Sequence, residues 1–408
     1  MGDESTDLRR ELVDRLREAG HVTDERVAEA FSAVPRETFL ADHAARRGLD
    51  GVYRDEAIVI RRDPATRMPT SSSSQPAIMA RMLEMLAVAE GHRVLEIGAG
   101  TGYNAALLAR LVGRSGSVTS VELDRDLAAA AREALLASRA DAAVVLGDGR
   151  RGAPDGPQVD RIVVTASSDR LHRAWFDQLV PGGLLVVPLR LSAELFAVQA
   201  VVAFRKVASG FDNVGITPGG FMALRDPGAA AVHPAAVAVT EATAAVDDGG
   251  MPLVQLSGSA VAALDSTARQ RLAVAALGFG RRRPLDLGGA GSWSLAAYAA
   301  LALPEERLVE CLGRRWVEAH EHTLGVLDAV DGSLAVLVGT GTAARVEAYG
   351  GRGAERTLRG VHDRWVTADR PGVDRLALRV RYGSERPHAW RTLRRDDQWI
   401  ALDWRPPS

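Results

Sequence analysis

A glycine-rich segment is the strongest chemical signal in the sequence. Residues 96–102 read EIGAGTG and lie between a short apolar run and an apolar pattern with helical spacing. The segment is therefore predicted to turn from a strand into a helix. Gly98, Gly100 and Gly102 would allow a sharp turn and let a ligand contact the main chain. The pattern predicts a nucleotide-binding loop.

Two carboxylates follow the next predicted strands. Glu122 comes 20 residues after Gly102, a spacing that suits a carboxylate accepting both hydroxyls of a ribose. Asp148 lies in the GDG segment 147–149, where it could accept a hydrogen bond from an adenine amino group. Gly149, next to it, is assigned to the same site. The carboxyl ends of adjacent parallel strands are where open α/β sheets bind ligands.

The spacing of the glycines bears on the ligand. A dinucleotide loop has the pattern GxGxxG, whereas this loop has GxGxG preceded by Glu96. A carboxylate at the mouth of the loop would repel a pyrophosphate and tolerate a ligand that carries a sulfonium and an ammonium group. These residues favour S-adenosylmethionine as the cofactor. A dinucleotide and a purely structural glycine turn remain as alternatives.

A run of hydroxyl side chains offers a site for the methyl acceptor. Residues 70–76 read TSSSSQP, and Pro76 is predicted to begin a helix. Free N–H groups and the helix dipole favour an anion there. A carboxylate acceptor is already ionised at neutral pH and needs no base. Thr70, Ser73 and Ser74 are therefore the candidate catalytic residues. The alternatives are that Ser74 only caps the helix or that the run is a flexible linker.

Composition and charge exclude several classes of function. The chain has 408 residues, of which 47% are hydrophobic and 25% charged, as in ordinary globular proteins. Its 50 Lys and Arg residues against 52 Asp and Glu give a net charge of −2, so no basic field for nucleic acid is expected. The single Cys311 excludes a cysteine-built zinc site. No metal is expected, and the segment 320–322, HEH, is interpreted as a solvated helix end.

The chain is expected to be cytoplasmic, with no membrane partner, because it has no apolar run of 18 residues and no secretory leader. Its length predicts two domains, over 1–225 and 226–408, with a boundary near 215–227. The sequence does not indicate the oligomeric state.

Strands and helices alternate in the first half, which predicts a doubly wound, mostly parallel α/β sheet, Rossmann-like in form. The predicted strands are 93–97, 118–122, 143–146, 160–165 and 183–188. Residues 44–73 are predicted to be a polar loop. The second half is predicted to be an α+β domain, with helices at 267–277, 304–319 and 354–366 and strands at 326–330, 334–338 and 376–382. Its tryptophans suggest core packing, with a peptide-binding groove as the alternative.

Six ordered blocks together resemble the protein-L-isoaspartate O-methyltransferase family. They are 34–39, the hydroxyl run before Pro76, 94–103, 147–149, 160–166 and 178–183. The resemblance covers about residues 8–225 and implies a class I methyltransferase fold. It implies that S-adenosylmethionine is bound by Gly98, Gly100, Gly102, Glu122 and Asp148, and that Ser74 is the active-site serine.

The sequence also departs from the family's pattern. Met68-Pro69 stands where the family has Gly-Gln, the segment 72–74 is Ser-Ser-Ser rather than Thr-Ile-Ser, and 221–224 reads FMAL rather than FVPL. With the added domain, these departures resemble variants that modify ribosomally made lanthipeptide, graspetide or lasso precursor peptides. That resemblance implies methylation of an aspartate in a precursor peptide, leading to succinimide and, on hydrolysis, isoaspartate. General isoaspartyl repair is the alternative, and a non-catalytic nucleotide-binding protein is the third hypothesis.

Overall fold

The computed structural model describes residues 2–64, 69–153, 155–195, 198–227, 242–246, 252–312 and 322–406. The chain divides into two compact units. The first comprises Met1–Pro188, Val201–Gly215 and Phe221–Ala231, and the second comprises Leu189–Ala200, Ile216–Gly220 and Val232–Ser408. Two short segments that precede residue 225 thus belong to the second unit. The domain limits 1–225 and 226–408 remain a prediction.

The first unit begins with three helices, α1 (Gly2–Glu18), α2 (Glu25–Ala33) and α3 (Ala41–Val52). Helix α2 begins where the Asp24 side chain accepts a hydrogen bond from the backbone N–H of Arg26, at 2.8 Å, which satisfies one of the free N–H groups of the first turn. A 3₁₀ turn over Arg36–Phe39 follows α2. Its first residue, Arg36, is fully buried.

The region predicted to be a polar loop contains regular structure, so that prediction is wrong. Besides α3, it contains strands β1 (Ile58–Arg62) and β2 (Pro69–Ser73), which pair antiparallel with Ile58 opposite Ser73 and Val59 opposite Ser72. The β-branched side chains of β1 favour a strand. The serines of β2 have no such preference and are held in a strand by this pairing. We call β2 together with Ser74 the serine strand.

The central sheet of the first unit confirms the predicted class. Its parallel strands are β3 (Arg93–Ile97), β4 (Ser117–Glu122), β5 (Ala143–Leu146), β6 (Val159–Val164) and β7 (Leu179–Arg190), in the order β7-β6-β3-β4-β5. Strands β8 (Gln199–Val207) and β9 (Gly210–Pro218) continue the sheet beyond β7. Because these connections reverse direction on either side of β3, the carboxyl ends of β3 and β6 border the point where ligands bind in such sheets.

Four described helices belong to this sheet: α4 (Pro76–Leu86), α5 (Tyr103–Val112), α6 (Arg125–Ser138) and α7 (Arg173–Gln178). Helix α5 begins directly after the glycine loop and is mostly buried. The ring of its first residue, Tyr103, meets the ring of Phe31 on α2 edge to face, with centroids 6.2 Å apart. The helix that follows the glycine loop is therefore packed firmly against the amino-terminal helices.

The second unit is rich in antiparallel strands. Its elements are β10 (Ala242–Val246), β11 (Pro252–Ser257), α8 (Ser259–Ala262), α9 (Ser266–Leu277), β12 (Arg281–Leu285), α10 (Ser292–Ala302), β13 (Leu308–Leu312), β14 (His322–Asp328), β15 (Ser333–Thr340), β16 (Ala343–Tyr349), α11 (Gly353–Thr367), β17 (Leu376–Tyr382), β18 (Arg391–Arg395) and β19 (Gln398–Trp404). Seven strands form one sheet in the order β10-β11-β13-β14-β15-β16-β12, and β17, β19 and β18 pair antiparallel.

The helices predicted at 267–277 and 354–366 are confirmed as α9 and α11, whereas the helix predicted at 304–319 is wrong over its described part. There the chain forms β13, which is buried between β11 and β14. The apolar side chains of such a short run fit a buried strand and a buried helix equally well, and here strand pairing decides. The rest of the predicted helix lies outside the described residues. None of the described helices is long and apolar enough to span a membrane.

Candidate active site

The glycine loop has the backbone conformation that its sequence predicts. The φ angles of Gly98, Gly100 and Gly102 are +98°, +54° and +87°. Residues other than glycine rarely adopt positive φ angles. A Cβ atom on Gly98 would lie 2.4 Å from Oγ1 of Thr165, at the end of β6. Gly102 is the N-cap of α5 and supplies no capping side chain. The loop therefore leaves main chain close to the carboxyl end of the sheet, where a ligand can approach it.

Glu122 lies at the end of β4 with only 6% of its surface exposed. The backbone N–H of Gly100 donates to its Oε2 at 2.9 Å, and the N–H of Asp124 donates to its Oε1 at 3.0 Å. These two amides fix the plane of the carboxylate. Each oxygen keeps a further lone pair, so the group has room to accept ribose hydroxyls, and this role remains a prediction.

Asp148 follows β5 and is already held by a cation. The Arg150 guanidinium donates to both carboxylate oxygens, from Nε to Oδ1 at 2.9 Å and from Nη2 to Oδ2 at 2.8 Å. Hydrogen bonding from Arg150 lowers the pKa of Asp148 below its ordinary value, so the carboxylate remains ionised and oriented. Sequence reasoning missed Arg150, which is two residues after Asp148 and could have been identified as its partner.

Gly149 brings the segment after β5 against β3. A Cβ atom at this position would lie 2.3 Å from Cγ2 of Ile97, and the backbone carbonyl of Gly149 accepts a hydrogen bond from Nε1 of Trp175 at 2.8 Å. A side chain at position 149 would force these two segments apart. The close approach explains why glycine follows Asp148.

The structure places Glu96 beneath the loop, which corrects the expected position at its mouth. Its side chain is 0% exposed, and its oxygens accept hydrogen bonds from Nδ2 of Asn104 at 2.7 Å and from Oγ of Ser120 at 2.5 Å. Burial raises the pKa of Glu96 to about 7. A carboxyl in this position braces β3, β4 and α5 from below, and direct contact with a cofactor remains a prediction.

These residues fit S-adenosylmethionine. The loop turns on three glycines with positive φ, and Glu122 keeps lone pairs for a ribose. Asp148 stays an ionised acceptor next to the same sheet edge. We therefore expect Gly98, Gly100 and Gly102 to line the cofactor, Glu122 to bind the ribose and Asp148 to bind the adenine.

The serine strand borders the glycine loop. The ideal Cβ position of Gly100 is 3.9 Å from both Oγ of Ser71 and the backbone oxygen of Ser72. Ser71 and Ser73 are buried, Ser72 and Ser74 are half-buried, and Oγ1 of Thr70 is buried with no hydrogen-bond partner. The hydroxyl run and the loop, separated by more than twenty residues of sequence, are thus brought into one site.

The start of α4 differs from two of the sequence interpretations, namely a free anion site and a helix capped by Ser74. Its N-cap is Gln75, not Ser74, so the alternative in which Ser74 caps the helix is wrong. Oδ1 of Asp55 accepts the backbone N–H of Ala77 at 2.8 Å, and its Oδ2 accepts Nε2 of Gln75 at 2.9 Å. A resident carboxylate therefore occupies the anion position at this helix end. We therefore expect an acceptor carboxylate to be bound by the hydroxyls rather than at the N–H of Ala77.

Arg36 is the second residue that sequence reasoning missed. It is 0% exposed and donates to Ser73 Oγ at 3.4 Å and to the backbone oxygen of Ser74 at 3.1 Å. The block 34–39 contributed to the family resemblance, but nothing in its spacing indicated that its arginine reaches the serine strand. This contact spans 37 residues of sequence.

The other features that the sequence indicated, a histidine segment and several tryptophans, either pack within the fold or lie outside the described residues. Within the described residues, no group of three His, Cys, Asp or Glu side chains could bind a metal, and residues 320 and 321 of the HEH segment lie outside them. Trp365 is fully buried in α11, as core packing predicts. Trp390 is 45% exposed, and its ring packs against those of Tyr298 and Trp404, at 5.7 and 6.0 Å. A peptide-binding role for these rings remains a prediction.

Comparisons with known proteins indicate the same family. The model of the family "Protein-L-isoaspartate(D-aspartate) O-methyltransferase (PCMT)" matches residues 7–212, about half of the chain. A protein-L-isoaspartate O-methyltransferase of Methanopyrus kandleri is 39% identical over 195 residues, which cover 47% of this chain and 81% of that protein. One from Bradyrhizobium is 38% identical over 201 residues, 48% of this chain and 84% of that protein.

The fold comparison extends beyond the matched half. A solved protein-L-isoaspartate O-methyltransferase structure aligns with a TM-score of 0.50 and 24% identity, over 97% of this chain and 99% of the other. At that identity the alignment shows similarity of fold alone. Together with the family match over residues 7–212, the sequence and the site identify the chain as a member of the protein-L-isoaspartate O-methyltransferase family, enzymes with a class I methyltransferase fold that use S-adenosylmethionine to methylate protein carboxylates.

Proposed function

We propose that this protein esterifies the carboxylate of isoaspartyl residues in peptides or proteins, with S-adenosylmethionine as the methyl donor. The observation that carries the proposal is the contact between the serine strand and the glycine loop, where Ser71 and Ser72 lie next to Gly100. A carboxylate bound by hydroxyls there would lie next to the predicted cofactor. The family match over residues 7–212 supports the same acceptor.

The residues on the acceptor side have a binding role rather than an acid–base role. When bound, S-adenosylmethionine supplies an electrophilic methyl group, and its transfer to a carboxylate oxygen breaks the carbon–sulfur bond and releases S-adenosylhomocysteine. An ionised carboxylate loses no proton in this step. Ser74, with Ser73 and Thr70, would donate hydrogen bonds that hold the acceptor oxygen in a near-attack position, about 3 Å from the methyl carbon.

The ester product explains the use of such a reaction. A free carboxylate is a poor electrophile, whereas its methyl ester loses methanol when the following backbone amide nitrogen attacks the carbonyl. The resulting succinimide is hydrolysed by water to aspartyl or isoaspartyl peptide. Both of these steps proceed without the enzyme, so the protein needs only to bind, orient and methylate.

Methylation of an aspartate in a ribosomally made precursor peptide is the second candidate. The sequence in and just before the serine strand favours it, because Met68-Pro69, Ser72 and Ser73 replace the usual residues of the family. The second unit does not separate the two candidates, since a solved protein-L-isoaspartate O-methyltransferase structure aligns over 97% of this chain. The similar relatives support the isoaspartyl acceptor more directly.

The test compares two peptides that differ only in the linkage of one aspartyl residue. Release of S-adenosylhomocysteine is measured with the full chain and with an otherwise identical isoaspartyl or aspartyl peptide. We expect methylation of the isoaspartyl peptide and its loss in Glu122→Ala. Preference for the aspartyl peptide would replace the proposal with the second candidate. No methylation of either peptide, by an enzyme that binds S-adenosylhomocysteine, would contradict both.

A further inference from the structure

We propose that Arg36 is a positioning residue of the methyl-acceptor site, which aims the hydroxyls of Ser73 and Ser74 at the acceptor carboxylate. The inference rests on the proposed acceptor function of the serine strand. Arg36 lies in the 3₁₀ turn after α2, far from that strand in sequence. It does not touch the acceptor in this proposal and acts through the two serines.

The burial of Arg36 is the first argument. The side chain is 0% exposed, its Nε has no hydrogen-bond partner, and its hydrogen bonds all go to carbonyl or hydroxyl oxygens. Burial lowers the pKa of Arg36. Burying a guanidinium without a directly bonded carboxylate is costly. A leucine or methionine would avoid burying the charge but would leave the bonded oxygens without their donor, so the side chain is needed for its N–H groups.

The two ends of the guanidinium reach different segments. Nη1 donates to the backbone oxygen of Val52, the last residue of α3, at 2.9 Å and to that of Arg54 at 3.2 Å. Nη2 donates to the backbone oxygen of Ser74 at 3.1 Å and to Oγ of Ser73 at 3.4 Å. Because the guanidinium is planar and rigid, these contacts fix the end of the serine strand relative to α3.

Arg36 also touches the helix that follows the glycine loop. Its guanidinium carbon lies 5.7 Å from the centroid of the Tyr103 ring, at the start of α5. One side chain thus contacts the serine strand, the end of α3 and the first residue of α5. This contact links the serine strand to the helix that follows the glycine loop.

The direction of the hydrogen bonds supports the role. Oγ of Ser73 accepts from Arg36, which leaves the hydroxyl proton of Ser73 available for donation to another group. The bond to the backbone oxygen of Ser74 fixes the peptide plane that leads into Gln75, and with it the backbone position from which the Ser74 side chain extends. The fixed positive charge also favours an anion bound by these serines.

The test is Arg36→Lys, with Arg26→Lys as the matched control. Arg26 also donates to two backbone oxygens, those of Val88 at 2.7 Å and Leu111 at 2.6 Å, but does not contact the serines. Lysine keeps the positive charge but lacks the planar guanidinium, whose two Nη groups donate to different segments. We expect Arg36→Lys to lower kcat/KM for the methylated peptide about ten- to hundredfold, while the affinity for S-adenosylhomocysteine changes less than about threefold. Arg26→Lys should leave kcat/KM within about threefold of wild type.

The outcomes separate the inference from the proposed function. Wild-type enzyme that methylates neither peptide contradicts the function, whereas an active wild type with an equally active Arg36→Lys contradicts only the inference. Equal loss of cofactor affinity and kcat/KM also contradicts it, because that is the signature of general destabilisation. If Arg36→Lys does not bind S-adenosylhomocysteine, Arg36→Gln is measured by the same criteria. Failure of both variants to bind would show that Arg36 serves the fold alone.

Discussion

The glycine loop and the serine strand are neighbours and form the two sides of the proposed site, but they are built in different ways. The path of the loop is determined locally. Three glycines with positive φ set its turns, and β3, which leads into it, is paired with β4 on one side and β6 on the other. The serine strand has no comparable local constraint. Its path depends on pairing with β1, on the Asp55 carboxylate at the start of α4 and on Arg36.

The difference predicts how each side responds to change. A substitution in the loop meets backbone strain or a steric clash directly, so it should weaken cofactor binding. A substitution in the serine strand removes one hydrogen bond among several, so it should reduce catalysis while the cofactor still binds. Substitutions at Gly98, Ser74 and Glu96 test this contrast, and their expected effects decrease in that order.

Gly98→Ala should have the largest effect. The new Cβ atom would lie 2.4 Å from Oγ1 of Thr165 at a residue with φ of +98°, and the backbone strain alone costs roughly 1–2 kcal/mol. We expect affinity for S-adenosylhomocysteine, measured by calorimetry, to fall at least about tenfold.

Gly182→Ala is the matched control, since Gly182 has φ of +76° but no atom within 4 Å of the added Cβ. It introduces backbone strain without a clash and lies outside the glycine loop. A loss of cofactor affinity as large as that of Gly98→Ala would mean that strain anywhere in the unit, and not the shape of the loop, controls binding.

Ser74→Ala should have an intermediate effect that is confined to the acceptor side. A hydrogen bond to a charged group is worth about 1.5–3 kcal/mol, so kcat/KM for the peptide should fall about ten- to hundredfold. Affinity for S-adenosylhomocysteine should not change. Because Gln75 rather than Ser74 is the N-cap of α4, the melting temperature should change little.

The control for this variant is Ser138→Ala, which removes a hydroxyl bonded to the backbone oxygen of Leu135 at the end of α6. It should leave peptide methylation unchanged. A parallel loss of cofactor affinity and methylation in Ser74→Ala would instead assign Ser74 to the framework of the site.

Glu96→Gln should have the smallest effect, on the pH dependence of stability. The folded-state pKa of Glu96 is raised to about 7 by burial, above the value of about 4.3 expected in the unfolded chain. The unfolded state therefore releases this proton first, and stability is lost as pH rises from about 4.3 to about 7. The glutamine variant resembles the protonated acid and should lose less stability over this range.

Melting temperatures of the wild type and Glu96→Gln between pH 5 and pH 8 measure this difference. The amide can still accept from Asn104 and can donate to Oγ of Ser120, so the fold should be retained. Parallel melting curves across the range would show that Glu96 titrates normally and is not enclosed beneath the loop.

The sequence by itself determined the α/β class, the glycine loop and the positions of Glu122 and Asp148. These features depend on short-range patterns, namely apolar strands, glycines at positive φ and carboxylates that directly follow strands. Each is encoded within a few residues, so spacing alone predicts it. The burial of Glu96 could not be predicted in this way, because it depends on Ser120 and Asn104.

Only the tertiary structure decided how the acceptor side is held. The polar sequence of residues 44–73 gives no period that indicates a hairpin, and β2 becomes a strand because β1 pairs with it. The helix end that resembles an anion site is already occupied by Asp55. Arg36 reaches Ser73 across 37 residues, because folding brings together donors and acceptors that spacing in the sequence cannot relate.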